Sequence, residues 1–259
     1  MSDTIKLVFT GSGSGKSSLN RFHSSFLIRS DSYNLLVDAG DGISRALLRL
    51  GIGYNEIDGI LITHFHPDHF SGILSLIQQM KLGKKQLPVD IFVSKSNINF
   101  LKEMLAKSFL FEDRLSFALN FLKIEAGKKV DFRGKFTVTA FENSHMEKYR
   151  EHGLKDSELK SYSLLISAAN GEIFYTGDVG SSSDLELFQP DINSILITET
   201  THVDMETVIE LIRKNELKKV ILTHIDTDDP SPLISKITAI FPDGLNKITI
   251  AHDGLIISV

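Results

Sequence analysis

Apolar positions along the chain fall into short β runs that alternate with amphipathic stretches at helical spacing. Ile5 to Thr10 and Phe26 to Val37 read as strands, the second broken at the turn-prone Ser30-Asp31-Ser32. Gly42 to Leu50 places Ile43, Leu47 and Leu50 on one helical face, with Gly51 as a cap past its end. Ile60-Leu61-Ile62 is a short buried strand. Beyond it, Ile73, Leu74, Ile77 and Met80 predict a helix with Ser71 as N-cap, followed by a strand at Val89 to Val93. The Phe- and Leu-rich stretch Asn97 to Phe121 reads as mostly helical. Strands are predicted at Phe136 to Phe141, Tyr162 to Ser167 and Glu172 to Tyr175, the last two joined as a hairpin through Asn170-Gly171. Then come a strand at Ile195 to Thr198, a helix at Met205 to Arg213, a strand at Val220 to Leu222, a helix at Leu233 to Phe241, and closing strands at Ile248 to Ile250 and Leu255 to Val259. Helices scattered among strands and hairpins predict mixed sheets covered by helices, and a four-layer αββα sandwich fits without being demanded.

No low-complexity segment, repeat or long Pro/Gly/Ser linker divides the 259 residues, so residues 1–259 are expected to form one domain. A net charge of −5 does not favour polyanions or anionic lipid, and no apolar run approaches the ~20 residues of a membrane span. A cytoplasmic protein is expected. There is no cysteine, which removes disulfides, thiolate nucleophiles and thiolate-ligated metals. Any metal must be held by His and carboxylate.

Thr63-His64-Phe65-His66-Pro67-Asp68-His69 gathers four such side chains directly after the Ile60 strand. Residues two apart on an extended segment point to one side, so His64 and His66 can reach one metal together. Pro67 bends the chain, and Asp68 and His69 follow on a turn, where they can address a second position. Imidazole with carboxylate suits zinc, manganese or iron, zinc being the usual occupant. Three imidazoles and a carboxylate within six positions have no evident structural use.

The run resembles the HxHxDH signature of the metallo-β-lactamase superfamily, and later residues supply that family's remaining ligands in order. These are His145 in Asn143-Ser144-His145, Asp178 in Thr176-Gly177-Asp178 and His224 in Thr223-His224. The resemblance implies the metallo-β-lactamase fold and two divalent ions, with zinc expected and Mn2+ or Fe2+ as alternatives. His64, His66 and His145 would bind the first, Asp68, His69 and His224 the second, and Asp178 would bridge them. His66 stands where flavodiiron-type members carry Glu, which favours hydrolysis over redox chemistry. Gly11 to Gly13, Arg21, Ser24-Ser25 and the closing Ala251-His252-Asp253-Gly254 resemble the ribonuclease Z-like branch, with His252 expected to pack or touch substrate.

That branch implies a phosphodiesterase in which hydroxide held between the metals attacks phosphorus. Asp68 would orient the hydroxide or take its proton. Glu199 and His202, in Thr198-Glu199-Thr200-Thr201-His202, resemble the Glu and His that this branch uses at the leaving group, although the spacing there is wider. Only 32 positions separate His145 from Asp178, too few for a long tRNA-gripping arm. A small phosphodiester such as a cyclic nucleotide, or a short nucleic acid, is therefore expected as substrate. Metal-dependent hydrolysis of a carboxyl substrate (lactone, thioester, amide or β-lactam) and a non-catalytic metal-binding carrier are the alternatives.

Three further features are ambiguous. Gly15-Lys16-Ser17 matches the end of a phosphate loop, but its first Gly would fall on Thr10, so nucleotide triphosphatase chemistry is not expected, although the loop amides can approach a substrate phosphate. The charged stretch Met146 to Lys160 is expected to be a solvated excursion that can gate the site. Phe109, Phe111, Phe117 and Phe121 can line an apolar pocket but better suit core packing or a homodimer contact.

Overall fold

The computed structural model describes residues 4–187, 194–215 and 217–259. Sheet one contains β1 (Lys6–Gly11), β2 (Ser25–Arg29), β3 (Asn34–Val37), β4 (Gly59–Leu61), β5 (Val89–Val93) and β6 (Leu119–Lys123). The second contains β7 (Lys129–Phe132), β8 (Phe136–Glu142), β9 (Tyr162–Ala168), β10 (Gly171–Tyr175), β11 (Ile195–Glu199), β12 (Lys219–Thr223) and β13 (Ile248–Ile250). The final strand, β14 (Ile256–Ser258), crosses back to pair antiparallel with β1, giving orders β14-β1-β2-β3-β4-β5-β6 and β13-β12-β11-β10-β9-β8-β7. Strands β3 to β6 run parallel, as do β10 to β13, so their C-terminal ends collect at one edge of each sheet.

Alternation along the central strands buries both faces. In β4, Leu61 faces the inter-sheet core with Val37, Phe92, Val138, Ile166, Tyr175 and Ile197, while Ile60 faces outward. There it meets helices α1 (Ile43–Arg49), α3 (Ile73–Leu82) and α4 (Asn97–Lys107) through Leu47, Ile77, Met80 and Leu101. The outer face of sheet two is covered by α5 (Met205–Asn215) and α6 (Ser231–Ile240), through Val208, Ile212 and Ile237 against Phe174, Leu196 and Leu222. This is the αββα sandwich. Strands buried on both sides read as continuous apolar runs, which is why β4, β11 and β12 were legible despite their shortness. Among the described residues no helix is long and apolar enough to cross a membrane.

Four local expectations need correction. Pro67–Phe70 is itself a one-turn helix, α2, with His66 at its N-cap, so Asp68 and His69 sit on helix rather than turn. Ser71 then ends α2, and Gly72 precedes α3, so Ser71 is not the N-cap expected. The stretch from Asn97 is helical only to Lys107, and its end is strand β6, because parallel pairing with β5 outweighs local helical spacing. The hairpin turn is Ala169-Asn170, one position earlier than expected, because Ala168 pairs with Gly171. Of the four phenylalanines, Phe117 is buried whereas Phe109 is 77% exposed.

Candidate metal centre

The site is built where strands end. Strand β4 delivers Thr63 and His64, β8 delivers His145, β10 delivers Asp178, β11 ends in Glu199 and β12 delivers His224. Parallel direction brings these ends to one edge, the place where an α/β sheet leaves its loops free to carry chemistry. His64, His66, His145 and Asp178 form one cluster of ligand atoms, all within 4.8 Å of one another, and Asp68, His69, Asp178 and His224 form a second. Asp178 belongs to both. All seven residues read as ligands from the sequence are thus brought together.

Each imidazole has an assigned inner and outer nitrogen. His64 Nε2 and His145 Nε2 lie 3.0 and 3.1 Å from His66 Nδ1, so these three nitrogens converge. On the outer side His145 Nδ1 donates to the Val179 carbonyl at 3.1 Å, and His69 Nδ1 donates to Asp38 Oδ2 at 2.9 Å. In the second cluster His224 Nε2 stands 3.2 Å from Asp68 Oδ2 and 3.3 Å from Asp178 Oδ2. Outer partners of this kind fix which nitrogen keeps its lone pair for a metal.

Burial, reinforced by the neighbouring His69, holds His64 and His66 below the ordinary imidazole range, and burial brings His145 down to about 4. These rings are neutral at neutral pH, the form in which an imidazole can bind a metal. Burial opposes charge on His69 too, but Asp178 and Asp38 outweigh it and push its pKa well up. Burial likewise opposes ionisation of Asp68 and Asp178, and their histidine partners outweigh it, so both are carboxylates. The carboxylates favour positive charge at this point, a condition a divalent cation meets. His69 Nε2 and Asp178 Oδ1, buried and 3.4 Å apart, have no hydrogen-bond partner among the described residues. Orphaned buried polar atoms at the centre of an all-nitrogen and oxygen donor set fit divalent metal ions.

Asp38 is the main participant the sequence reading missed. It is fully buried in a left-handed conformation, φ 61°, and accepts from the Thr63 amide at 2.8 Å and the Thr63 hydroxyl at 2.9 Å as well as from His69. The available signal was an Asp placed directly after the apolar Leu35-Leu36-Val37, in Asp38-Ala39-Gly40, a residue type that tolerates that backbone. Asp184 was also missed. Its Oδ2 accepts from Ser144 Oγ and the Gly180 amide, both at 2.8 Å, lashing the loop of His145 to the loop of Asp178.

Glu199 and His202 lie together at the rim. Glu199 is buried, and its Oε1 accepts from His202 Nδ1 at 2.9 Å, while its Oε2 accepts the amides of Thr201 and His202. That bond to Glu199 raises the His202 pKa above the ordinary value. The His202 ring stands 4.9 Å from that of His145 and 6.1 Å from that of His224, over the junction of the two clusters. His252 is exposed, belongs to neither cluster, and has Nδ1 against its neighbour's carbonyl. Asp253 has the structural role instead, since its carboxylate accepts the amides of Ser12 and Phe22 and so ties the glycine-rich turn to the C-terminal strand.

Two seven-stranded sheets between helices, with paired His/Asp clusters at one mouth, define a metal-dependent hydrolase of the metallo-β-lactamase fold. The YhfI protein of Bacillus subtilis, described as a metallo-β-lactamase fold protein, superposes with a TM-score of 0.78 at 18% identity over all of both chains. The short form of human tRNase Z superposes with a TM-score of 0.71 at 19% identity, over 97% of this chain and 98% of that one. In sequence, the ribonuclease Z of Archaeoglobus fulgidus is 24% identical, across 92% of this chain and 93% of its own length. Residues 5–231 match the family model described as Anti-Pycsar protein Apyc1, and the chain belongs to that family.

Proposed function

We propose that the chain is a phosphodiesterase that hydrolyses a small or short phosphodiester, such as a cyclic nucleotide, on a pair of divalent ions. The observation that carries this reading is the conjunction of two four-residue clusters sharing Asp178 with a buried Glu199 bonded to His202 at their rim. His64, His66, His145 and Asp178 would hold one ion, and Asp68, His69, Asp178 and His224 the other. Bound divalent ions supply Lewis acidity, acidifying water and polarising a phosphoryl oxygen.

The chain's own residues do the rest. Asp68 keeps its carboxylate ionised and accepts the proton of the attacking water. His202 Nδ1 is engaged with Glu199, so Nε2 is the nitrogen that protonates the departing alkoxide oxygen. Glu199 holds that ring both in orientation and in charge. A thioester, which leaves as a thiolate, has little need of such a donor, so the Glu199–His202 pair weighs against that carboxyl substrate.

The excursion between β8 and β9 supports a small substrate. It folds as a 3₁₀ segment, His145–His152, and a short return to Tyr162, with no projecting arm to grip a folded RNA. The ribonuclease Z relatives support the phosphodiester class, as does the human tRNase Z neighbour. Zinc is the ion the all-nitrogen and oxygen donor set best suits, the cytoplasm the site of action, and Phe109 and Phe111 the contact of a homodimer.

The reading is tested by turnover of bis-p-nitrophenyl phosphate against a chromogenic β-lactam and a lactone, with zinc or manganese added. Diester turnover alone is expected. Turnover of the lactone or lactam without the diester overturns the phosphodiesterase reading, and protein that takes up metal but turns over nothing leaves a carrier.

A further inference from the structure

The charged excursion after His145 does more than border the site. Its Tyr149 places the phenol oxygen 3.1 Å from Nε2 of His66, with the two rings edge-on at 88°. Nδ1 of the same imidazole faces His64 Nε2 and His145 Nε2, in the first cluster. A neutral imidazole carries its proton on one nitrogen only, and which one is decided by the acceptor offered to it. We propose that Tyr149 is a positioning residue for His66, accepting the Nε2 proton on its phenol oxygen and so presenting the Nδ1 lone pair to the first metal. The inference rests on the ligand assignment proposed above.

His145 and Tyr149 stand four positions apart on one 3₁₀ segment, and both converge on His66. A metal held by His66 and His145 therefore secures the segment twice, directly through His145 and indirectly through the phenol. On its outer side the segment also carries exposed ion pairs, Arg150 with Asp156 at 2.9 Å and with Glu147 at 3.9 Å and His152 with Glu151 at 3.8 Å, of the kind that contributes little. A bound metal would thus help to hold the segment His145–His152, and Lys148, Arg150 and Lys155 along the excursion are natural trypsin targets.

The experiment uses the full chain loaded with zinc, comparing wild type, Tyr149→Phe and Arg150→Ala. Zinc affinity is measured by competition with a chromophoric chelator, and cleavage within residues 148–160 by limited trypsinolysis. Tyr149→Phe keeps the ring and removes only the oxygen. It is expected to weaken one of two zinc sites by about tenfold, the low end of losses seen when an outer partner of a ligating His is removed. The other site keeps its affinity, and cleavage of the loaded protein speeds up several-fold. Arg150→Ala should match wild type in zinc affinity. Two wild-type zinc affinities in Tyr149→Phe overturn the inference alone, as does an equal loss in Arg150→Ala, which would show that loop order rather than the phenol is responsible. A wild-type chain that binds no zinc overturns the ligand assignment and this inference with it.

Discussion

The two ligand clusters share Asp178 but are braced in opposite ways. Behind the second stands a fully buried carboxylate, Asp38, which receives His69 and both donors of Thr63 and lies 3.4 Å from the Tyr175 hydroxyl. Behind the first stand neutral partners, the Val179 carbonyl for His145 and the Tyr149 phenol for His66, and His66 is only partly buried. The clusters are equally buried, each with one partly buried member, His66 or Asp68, so the contrast lies in the partners: a buried charge stands behind His69 in the second, and neutral groups stand behind the first. The first is the one expected to exchange its ion and to respond to the excursion.

Substitutions can break this contrast in graded ways. Asp178→Ala should remove it altogether, taking zinc uptake at both clusters and diester turnover to background, as read by elemental analysis and a nitrophenyl assay. One intact zinc site in that variant would show that Asp178 is not shared. His202→Ala should leave both clusters filled yet slow diesters with alkoxide leaving groups by about 10²–10⁴-fold, the range for a lost general acid. Nitrophenyl diesters, whose leaving group needs no proton, should be nearly unaffected, and equal losses on both would remove His202 from that role. Asp38→Ala should weaken the second zinc site alone, by about 10–100-fold. It should also cost about 3–5 kcal/mol in urea unfolding, because His69 and Thr63 lose a buried charged partner. An equal loss at the first site would contradict the division of bracing. Gly180→Ala is the mildest. A Cβ there would meet the Ser144 backbone at 2.5 Å, so the His145 loop must shift, costing about 1–3 kcal/mol and loosening the first site only.

All seven clustered residues were legible because the run from His64 to His69 resembles a family signature and His145, Asp178 and His224 follow predicted strands in that family's order, although the strand before His145 only alternates between buried and partly buried positions. Asp38 follows such a strand as well, but a single Asp before Ala39-Gly40 reads as an ordinary turn residue until folding sets it behind His69. Tyr149 had no local signal, since its partner lies 83 positions away. Strands β6 and β7 escaped for a different reason. They are edge strands with exposed alternate positions such as Asn120, Lys129 and Asp131, so their pattern is faint, and β6 follows a true helix whose spacing carries over. The hairpin before β10 was found through Asn170 and missed by one position, because strand pairing rather than the Asn-Gly pair decides the register.

The most direct measurement is a titration of chelator-treated protein with zinc while the turnover of bis-p-nitrophenyl phosphate is followed. If the two clusters act as one centre through Asp178, activity stays low through the first equivalent and rises to its plateau as the second is bound. Full activity at one equivalent, or turnover that persists without metal, would contradict a paired centre.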